Sequence, residues 1–201
     1  HHGTQQARVS RGIYYMTSEK AAEKKVSNRV LAKTFDWRAV AKLMLTSRAL
    51  DQIEESELVP QKKVLYQFSA RGHELGQILL GSLLNQGKDS AGAYYRNRPL
   101  LLSIGLELED AIAAPMGKCG GFSDGRDIGV VCNLPPVNGC TVLPMSGDVG
   151  SQYPPSVGWA QAITYRRDVL GESAYKGAMS VVLGGEGSVA TNGFWSALTI
   201  A

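Results

Sequence analysis

The sequence predicts an α/β architecture, a parallel sheet with helices on both faces, and three observations carry that expectation. Apolar residues recur at three- and four-residue spacing in several separate segments, which marks amphipathic helices. One short apolar run, Ala178-Met179-Ser180-Val181-Val182-Leu183, has the length of a strand. It feeds a glycine turn, Gly184-Gly185-Glu186-Gly187-Ser188, and then a helical segment from Asn192 to Ala201, the order in which such sheets are built. At 201 residues and 44% hydrophobic, the chain can bury one core but not comfortably two.

Taken in order, the opening HHGTQQ reads as the remnant of a purification tag and stands outside the fold argument. Residues 1–34 are polar and basic, with too little apolar surface to pack, and are expected to form a flexible arm. A helical segment follows over 35–86. Asp36 offers an N-cap, and Trp37, Val40, Leu43, Met44, Leu50 and Ile53 fall on one face of a helix ending near Pro60. A second helix uses Leu75, Ile78, Leu79, Leu83 and Leu84, entered through Gly72 and closed by Gly87. The sheet domain is expected over 87–201. Within it a third helix spans Leu106 to Met116, with Glu107, Glu109 and Asp110 suited to its first turn and Pro115 at or beyond its end. From Gly117 to Gly150 eight glycines and the Pro135-Pro136 pair predict a long irregular loop. Pro154-Pro155 then opens a helix that buries Val157, Ala160, Ala162 and Ile163 and ends near Gly171.

Composition removes several function classes. A net charge of +3 gives no case for a nucleic-acid surface. No apolar run reaches the length of a bilayer, so no membrane role is expected. Cys119, Cys132 and Cys140 lack metal-ligand spacing, and His73 is the one histidine outside the terminal pair, so a structural zinc site lacks ligands. An odd number of cysteines suits a reducing compartment.

Three places carry chemistry. Glu186, between two glycines at a strand end, either holds a divalent cation beside a diphosphate or is a solvated turn residue. Tyr94-Tyr95-Arg96-Asn97-Arg98 either supplies hydroxyl and guanidinium donors to phosphate or forms a half-buried surface loop. His73, between Gly72 and Glu74, is either a proton donor or a helix-start hydrogen bonder.

In series, the runs FSARGHELGQILLGSLL, AYYRNRPLLLSIG, SDGRDIG, MSGDVGSQYPPSVGWAQA and GGEGSVATNGFWSAL resemble the alpha subunit of the thiamine-diphosphate-dependent decarboxylase component of 2-oxo acid dehydrogenase complexes, from about Leu43 to Ala201. The resemblance implies the thiamine-diphosphate-binding fold and oxidative decarboxylation of a 2-oxo acid with acyl transfer to a lipoyl carrier. It puts the cofactor on Tyr95, Arg96, Gly147, Val149, Gly187 and Ser188, and magnesium on Glu186. It also implies a monovalent cation, potassium, at Ser146, Ser151 and Gln152, and leaves His73 as the candidate catalytic residue. Glutamate rather than aspartate in the glycine turn leans toward branched-chain substrates. The implied partners are a beta subunit or beta half, which supplies the carboxylate that activates the cofactor, and the lipoyl acyltransferase core. The compartment is then the bacterial cytoplasm or the mitochondrial matrix.

The sequence departs from that family in three ways. The Asn-Asn pair that closes the thiamine motif does not occur before Ala201; Val131 stands where many members have histidine; and Asn192 stands where glutamate is usual. Val181, Val182 and Leu183 would be poorly covered in so short a sheet, so the chain is expected to be a truncated piece of the fold, or to be completed by another chain. The alternative is a non-catalytic paralogue or fragment that keeps the fold without cofactor turnover.

Overall fold

A computed structural model describes residues 34–127, 132–136 and 139–201. The arm expected before Thr34 and the Val131 position lie outside the described residues. Phe35–Ala201 form one unit. Among the described residues no helix is long and apolar enough to cross a membrane.

Helix α1 (Trp37–Ile53) starts where expected, because Asp36 Oδ1 accepts the N–H groups of Arg38 at 3.0 Å and Ala39 at 3.1 Å. It runs into a π-helical turn, Glu54–Leu58, just before Pro60. Its buried face differs from the expected one. Val40 and Leu50 are buried, but Trp37 and Ile53 are exposed, and Ser47, Asp51 and Glu54 take their place. The reason is Arg98, whose guanidinium meets both Asp51 and Glu54 and makes buried carboxylates tolerable on that side.

Gly72, at φ +88°, leads into α2 (Glu74–Leu83). Gly87 does not close it: the helix ends at Leu84, whose N–H reaches Gly81 O, and Gly87 has no positive φ. Leu75 is exposed; the buried face is Glu74, Gln77, Ile78 and Gly81. Helix α3 (Arg98–Ile104) was not foreseen as a helix; Pro99 suits its first turn and Gly105, at φ +116°, ends it. It crosses α2 so closely that a Cβ on Gly81 would lie 1.7 Å from Ser103 Oγ. Helix α4 (Leu108–Ala113) is shorter than the expected span and stops before Pro115.

Three short strands make the sheet: β1 (Asp89–Gly92), β2 (Cys140–Val142) and β3 (Ser180–Val182), in the order β2-β1-β3 and all parallel. Only β3 was legible. β2 corrects the expectation of irregular structure throughout 117–150, and Cys140 is a buried strand residue rather than a loop residue. In β1, Asp89 and Ala91 share a face with Cys140, Val142 and Val181 in register; most of these pack with Leu50, Leu84, Leu100, Leu101 and Met145 in one core. The helical segment and the sheet therefore share their apolar interior.

The opposite face, Ser90, Gly92, Ser180 and Val182, receives α5 (Tyr153–Asp168). Ser90 Oγ donates to Ser180 Oγ at 2.8 Å, and Ser180 Oγ donates to Ser156 O at 2.9 Å. A Cβ on Gly92 would lie 2.1 Å from Ser156 Oγ and 3.2 Å from Gln152 O. Tyr153, Ser156 and Ile163 form the buried side of α5, Val157 and Ala160 are half-buried, and Ala162, expected inside, is exposed. Helix α6 (Asn192–Ile200) starts as expected, capped by Thr191 Oγ1, and packs on α5. Val181, Val182 and Leu183 remain only partly buried.

Two tests follow from this packing. Gly92→Ala is expected to cost about 1–3 kcal/mol in chemical denaturation through overpacking, and Ser156→Ala in the same chain to return part of it. Burial pushes the Glu54 carboxyl up against the opposing pull of Arg98. A raised folded value contributes stability below the ordinary carboxylate range and loses it as pH rises through that value. Stability of Glu54→Gln relative to the parent is therefore expected to increase as pH rises above the ordinary carboxylate range; a flat or falling difference would contradict the burial argument.

Candidate functional site

The carboxyl ends of parallel strands, where the chain leaves the sheet, open onto a cavity of about 1020 Å³. Its wall comes from four segments: the start of α2, the turn after β1, the segment before α5 and the glycine turn after β3. His73, Tyr95, Arg96, Ser146, Gly147, Val149, Gln152, Glu186, Gly187 and Ser188 all line it. Of the candidate residues Ser151 alone lies outside the lining; its N–H turns back to Asp148 O at 3.2 Å.

The turn after β1 is fixed by Asn97, which is fully buried: its Oδ1 accepts Tyr94 N–H at 2.8 Å and its own N–H donates to Tyr94 O at 2.9 Å. Gln77 reaches across from α2, donating to Arg96 O at 3.0 Å and accepting Leu100 N–H at 3.4 Å. The two arginines of this turn then have opposite fates. Arg98 faces inward to Asp51 and Glu54. Arg96 faces the cavity, with one long hydrogen bond to Ser69 O at 3.4 Å and its guanidinium over the rings of Phe68 and Tyr95. Among the described residues Arg96 makes no ion pair.

The third wall is the glycine turn. Gly184 passes so close to α5 that a Cβ would lie 1.9 Å from Tyr153 Oη, whereas Gly187 has nothing within 4 Å and leaves its backbone open to the cavity. Glu186 is exposed and, among the described residues, its side chain makes neither an ion pair nor a hydrogen bond. The Tyr94 ring lies against Gly185, and burial raises its phenol above the usual range, opposed by Arg96 and reinforced by Tyr95 and Glu186. Ser188 lines the cavity with its hydroxyl engaged inside the protein, between Tyr153 Oη and Gly185 O.

Opposite, Ser146 Oγ accepts Asp148 N–H at 3.0 Å, and Gln152 Nε2 donates to Leu183 O at 2.9 Å, tying α5 to the end of β3. Gly150, at φ +89°, could carry no side chain: a Cβ would meet Thr191 Oγ1 at 2.1 Å. His73 stands exposed at the rim, directly before α2. Its neighbour Glu74 is buried, which raises its carboxyl, but hydrogen bonds from Arg48 and from Gly72 N–H outweigh burial and hold it below the ordinary range. Among the described residues no three of His, Cys, Asp and Glu converge as a metal cluster.

Sequence reasoning named Tyr94 within its segment but missed the supporting roles of Gln77, Asn97 and Tyr153. Gln77 had a signal, a lone amide among the leucines of an apolar helix. The arrangement can hold an anion at Arg96 and the open turn, and a cation at Glu186. A family model described as Dehydrogenase E1 component matches residues 41–201, most of the chain. No curated protein matches the chain significantly.

The cysteines take no part in this chemistry. Burial pushes the thiols of Cys132 and Cys140 up to about 12, with Asp127 and Asp89 respectively adding to the effect. Cys119 is exposed. In a thiol-reagent titration of the folded protein Cys119 is expected to react first, the half-buried Cys132 more slowly, and Cys140 only on unfolding. Modification of Cys140 before Cys119 would contradict the burial described.

Proposed function

We propose, for a chain that belongs to the dehydrogenase E1 component family of thiamine-diphosphate-dependent 2-oxo acid dehydrogenases, that this cavity holds the cofactor with a divalent cation. One observation carries the reading: Arg96 and Glu186 face the same cavity, neither has an ion-pair partner among the described residues, and they do not pair with each other. A free cation and a free carboxylate in one cavity are complementary to a ligand carrying both an anion and a metal, and a magnesium diphosphate is such a ligand.

The residues present suit that group. The backbone at Gly187 is open, as close approach of phosphate oxygens requires. Arg96 offers guanidinium N–H groups that the protein leaves free, and Tyr95, stacked against Phe68 at 4.6 Å, adds a hydroxyl. Glu186 would ligate magnesium, with phosphate oxygens and backbone supplying its remaining ligands. Gly147 and Val149 would receive the aminopyrimidine end, and Ser188 would brace the turn from behind. A potassium ion against Ser146, Ser151 and Gln152 would steady the segment before α5. Bound there, thiamine diphosphate supplies the nucleophilic carbon and the electron sink that loss of carbon dioxide from a 2-oxo acid needs.

The chain's own part is to bind, orient and exclude water. Tyr94 and Tyr95 wall the cavity with rings, Phe68 backing Tyr95 from behind, and Val182 and Leu183 add an apolar patch beside the glycine turn. His73, exposed where it lines the cavity, would give a proton to the substrate side. A branched-chain 2-oxo acid is the substrate we favour, from the glutamate in the glycine turn. Acyl transfer to a lipoyl carrier would take place in an assembly with a beta chain, in the bacterial cytoplasm or the mitochondrial matrix, where the three free thiols stay reduced.

Equilibrium binding to the chain assembled with its beta partner tests this. Arg96→Ala is expected to weaken thiamine diphosphate by about 1.5–3 kcal/mol, the value of a charge-assisted hydrogen bond, with little change in the melting temperature without ligand. Glu186→Gln is expected to lower the magnesium dependence of that affinity. Unchanged affinity in the first variant and unchanged metal response in the second would remove both residues from the site.

A further inference from the structure

The glycine turn that carries Glu186 is held from behind by a side chain of α5. Tyr153, in the first turn of that helix, is buried, and its Oη lies 2.5 Å from Ser188 Oγ. Ser188 Oγ in turn lies 2.5 Å from Gly185 O, to which it donates. A serine hydroxyl has one proton; with that proton directed to Gly185 O, Ser188 accepts from Tyr153, and the phenol is the donor. Tyrosine, serine and carbonyl thus form a two-bond relay from the helix to the peptide directly before Glu186.

Two further contacts fix the ends of that relay. Tyr153 Oη and Ser188 Oγ fill the space that a side chain on residue 184 would need, a Cβ there lying 1.9 Å and 2.6 Å from them. The Tyr153 ring packs edge to face on Phe194 of α6, with centroids 5.2 Å apart. Phe194 N–H donates to Thr191 Oγ1, and Thr191 Oγ1 donates to Ser188 O at 2.7 Å. Ser188 is therefore tethered through both its side chain and its carbonyl, and each tether leads back to a helix.

We propose that Tyr153 is a positioning residue of the cavity: through Ser188 it fixes the Gly185 peptide and so sets where Glu186 stands. In a trans peptide the C=O and the following N–H point in opposite directions, so anchoring Gly185 O toward Ser188 turns the Glu186 N–H the other way. The orientation of this turn stands on its hydrogen bonds; that it serves a metal diphosphate rests on the functional reading above.

The test is Tyr153→Phe in the full chain, which removes the hydroxyl and keeps the ring on Phe194. Amide hydrogen exchange without ligand is expected to speed up by about tenfold at Ser188, whose N–H donates to the same Gly185 O at 2.9 Å, while β1 and the rest of α5 keep their protection. Thiamine diphosphate affinity at fixed magnesium is expected to fall by a similar factor of about ten. Ser188→Ala severs the relay from its other end and is expected to reproduce both effects, the double variant being no worse than Ser188→Ala. It also stands in should Tyr153→Phe fail to fold. Unchanged exchange at Ser188, or effects of the two variants that add, would overturn the proposal. A parent chain that does not bind thiamine diphosphate would strike the functional reading, and the exchange comparison would still decide the role of Tyr153.

Discussion

The cavity depends on how closely α5 approaches the central strand. β1 reads Asp-Ser-Ala-Gly, with nothing larger than serine on the side that faces the helix, and Gly92 leaves room for Ser156 and Gln152 where any side chain would collide. Serine hydroxyls then link β1 to β3 and β3 to the helix. Asp89 closes the other end of the strand, its two oxygens accepting the N–H groups of Gln86 at 2.9 Å and Met179 at 2.8 Å. With helix and sheet drawn together in this way, Gln152 reaches the carbonyl at the end of β3, and Tyr153 reaches the glycine turn beyond it. A larger residue at 92 would push the segment before α5 away from the strand ends it now faces.

Charge is sorted as sharply as volume. Arg98 gives one hydrogen bond to each of Asp51 and Glu54, and Asp51 also accepts from Ser69 Oγ at 2.7 Å and Ala70 N–H at 3.0 Å, so one buried carboxylate joins α1, the approach to α2 and the start of α3. Such a group costs desolvation and returns it through complete pairing. Two residues earlier Arg96 has no such partner and rests on aromatic rings at the edge of the cavity. One guanidinium serves the protein's own structure; the other makes no ion pair among the described residues.

Much of this was legible in the sequence, and the exceptions share a cause. α1, α2, α5, α6 and β3 have apolar periodicity or clear caps and punctuation, and all stand close to where they were expected. β1 has no β-branched or aromatic residue and β2 has three residues in a glycine- and proline-rich stretch, so neither carries a strand signal; they are strands because flanking structure covers them. The misjudged face of α1 has the same origin, since a rule that sends carboxylates to solvent cannot see the arginine 47 residues away that pairs with Asp51. In the site, the residues named from family resemblance, Ser151 apart, line one cavity. Gln77, Asn97 and Tyr153 hold those residues from behind, and such support depends on packing that no local motif records.

The central claim is that the unpaired Arg96 and Glu186 face one ligand from two sides. A crystal structure of the chain assembled with its beta partner, grown with thiamine diphosphate and with manganese in place of magnesium, tests it most directly. Anomalous density beside Glu186, with the diphosphate between that ion and Arg96, is the expected result. Density for cofactor or metal at a place that leaves both Arg96 and Glu186 in solvent would contradict the account.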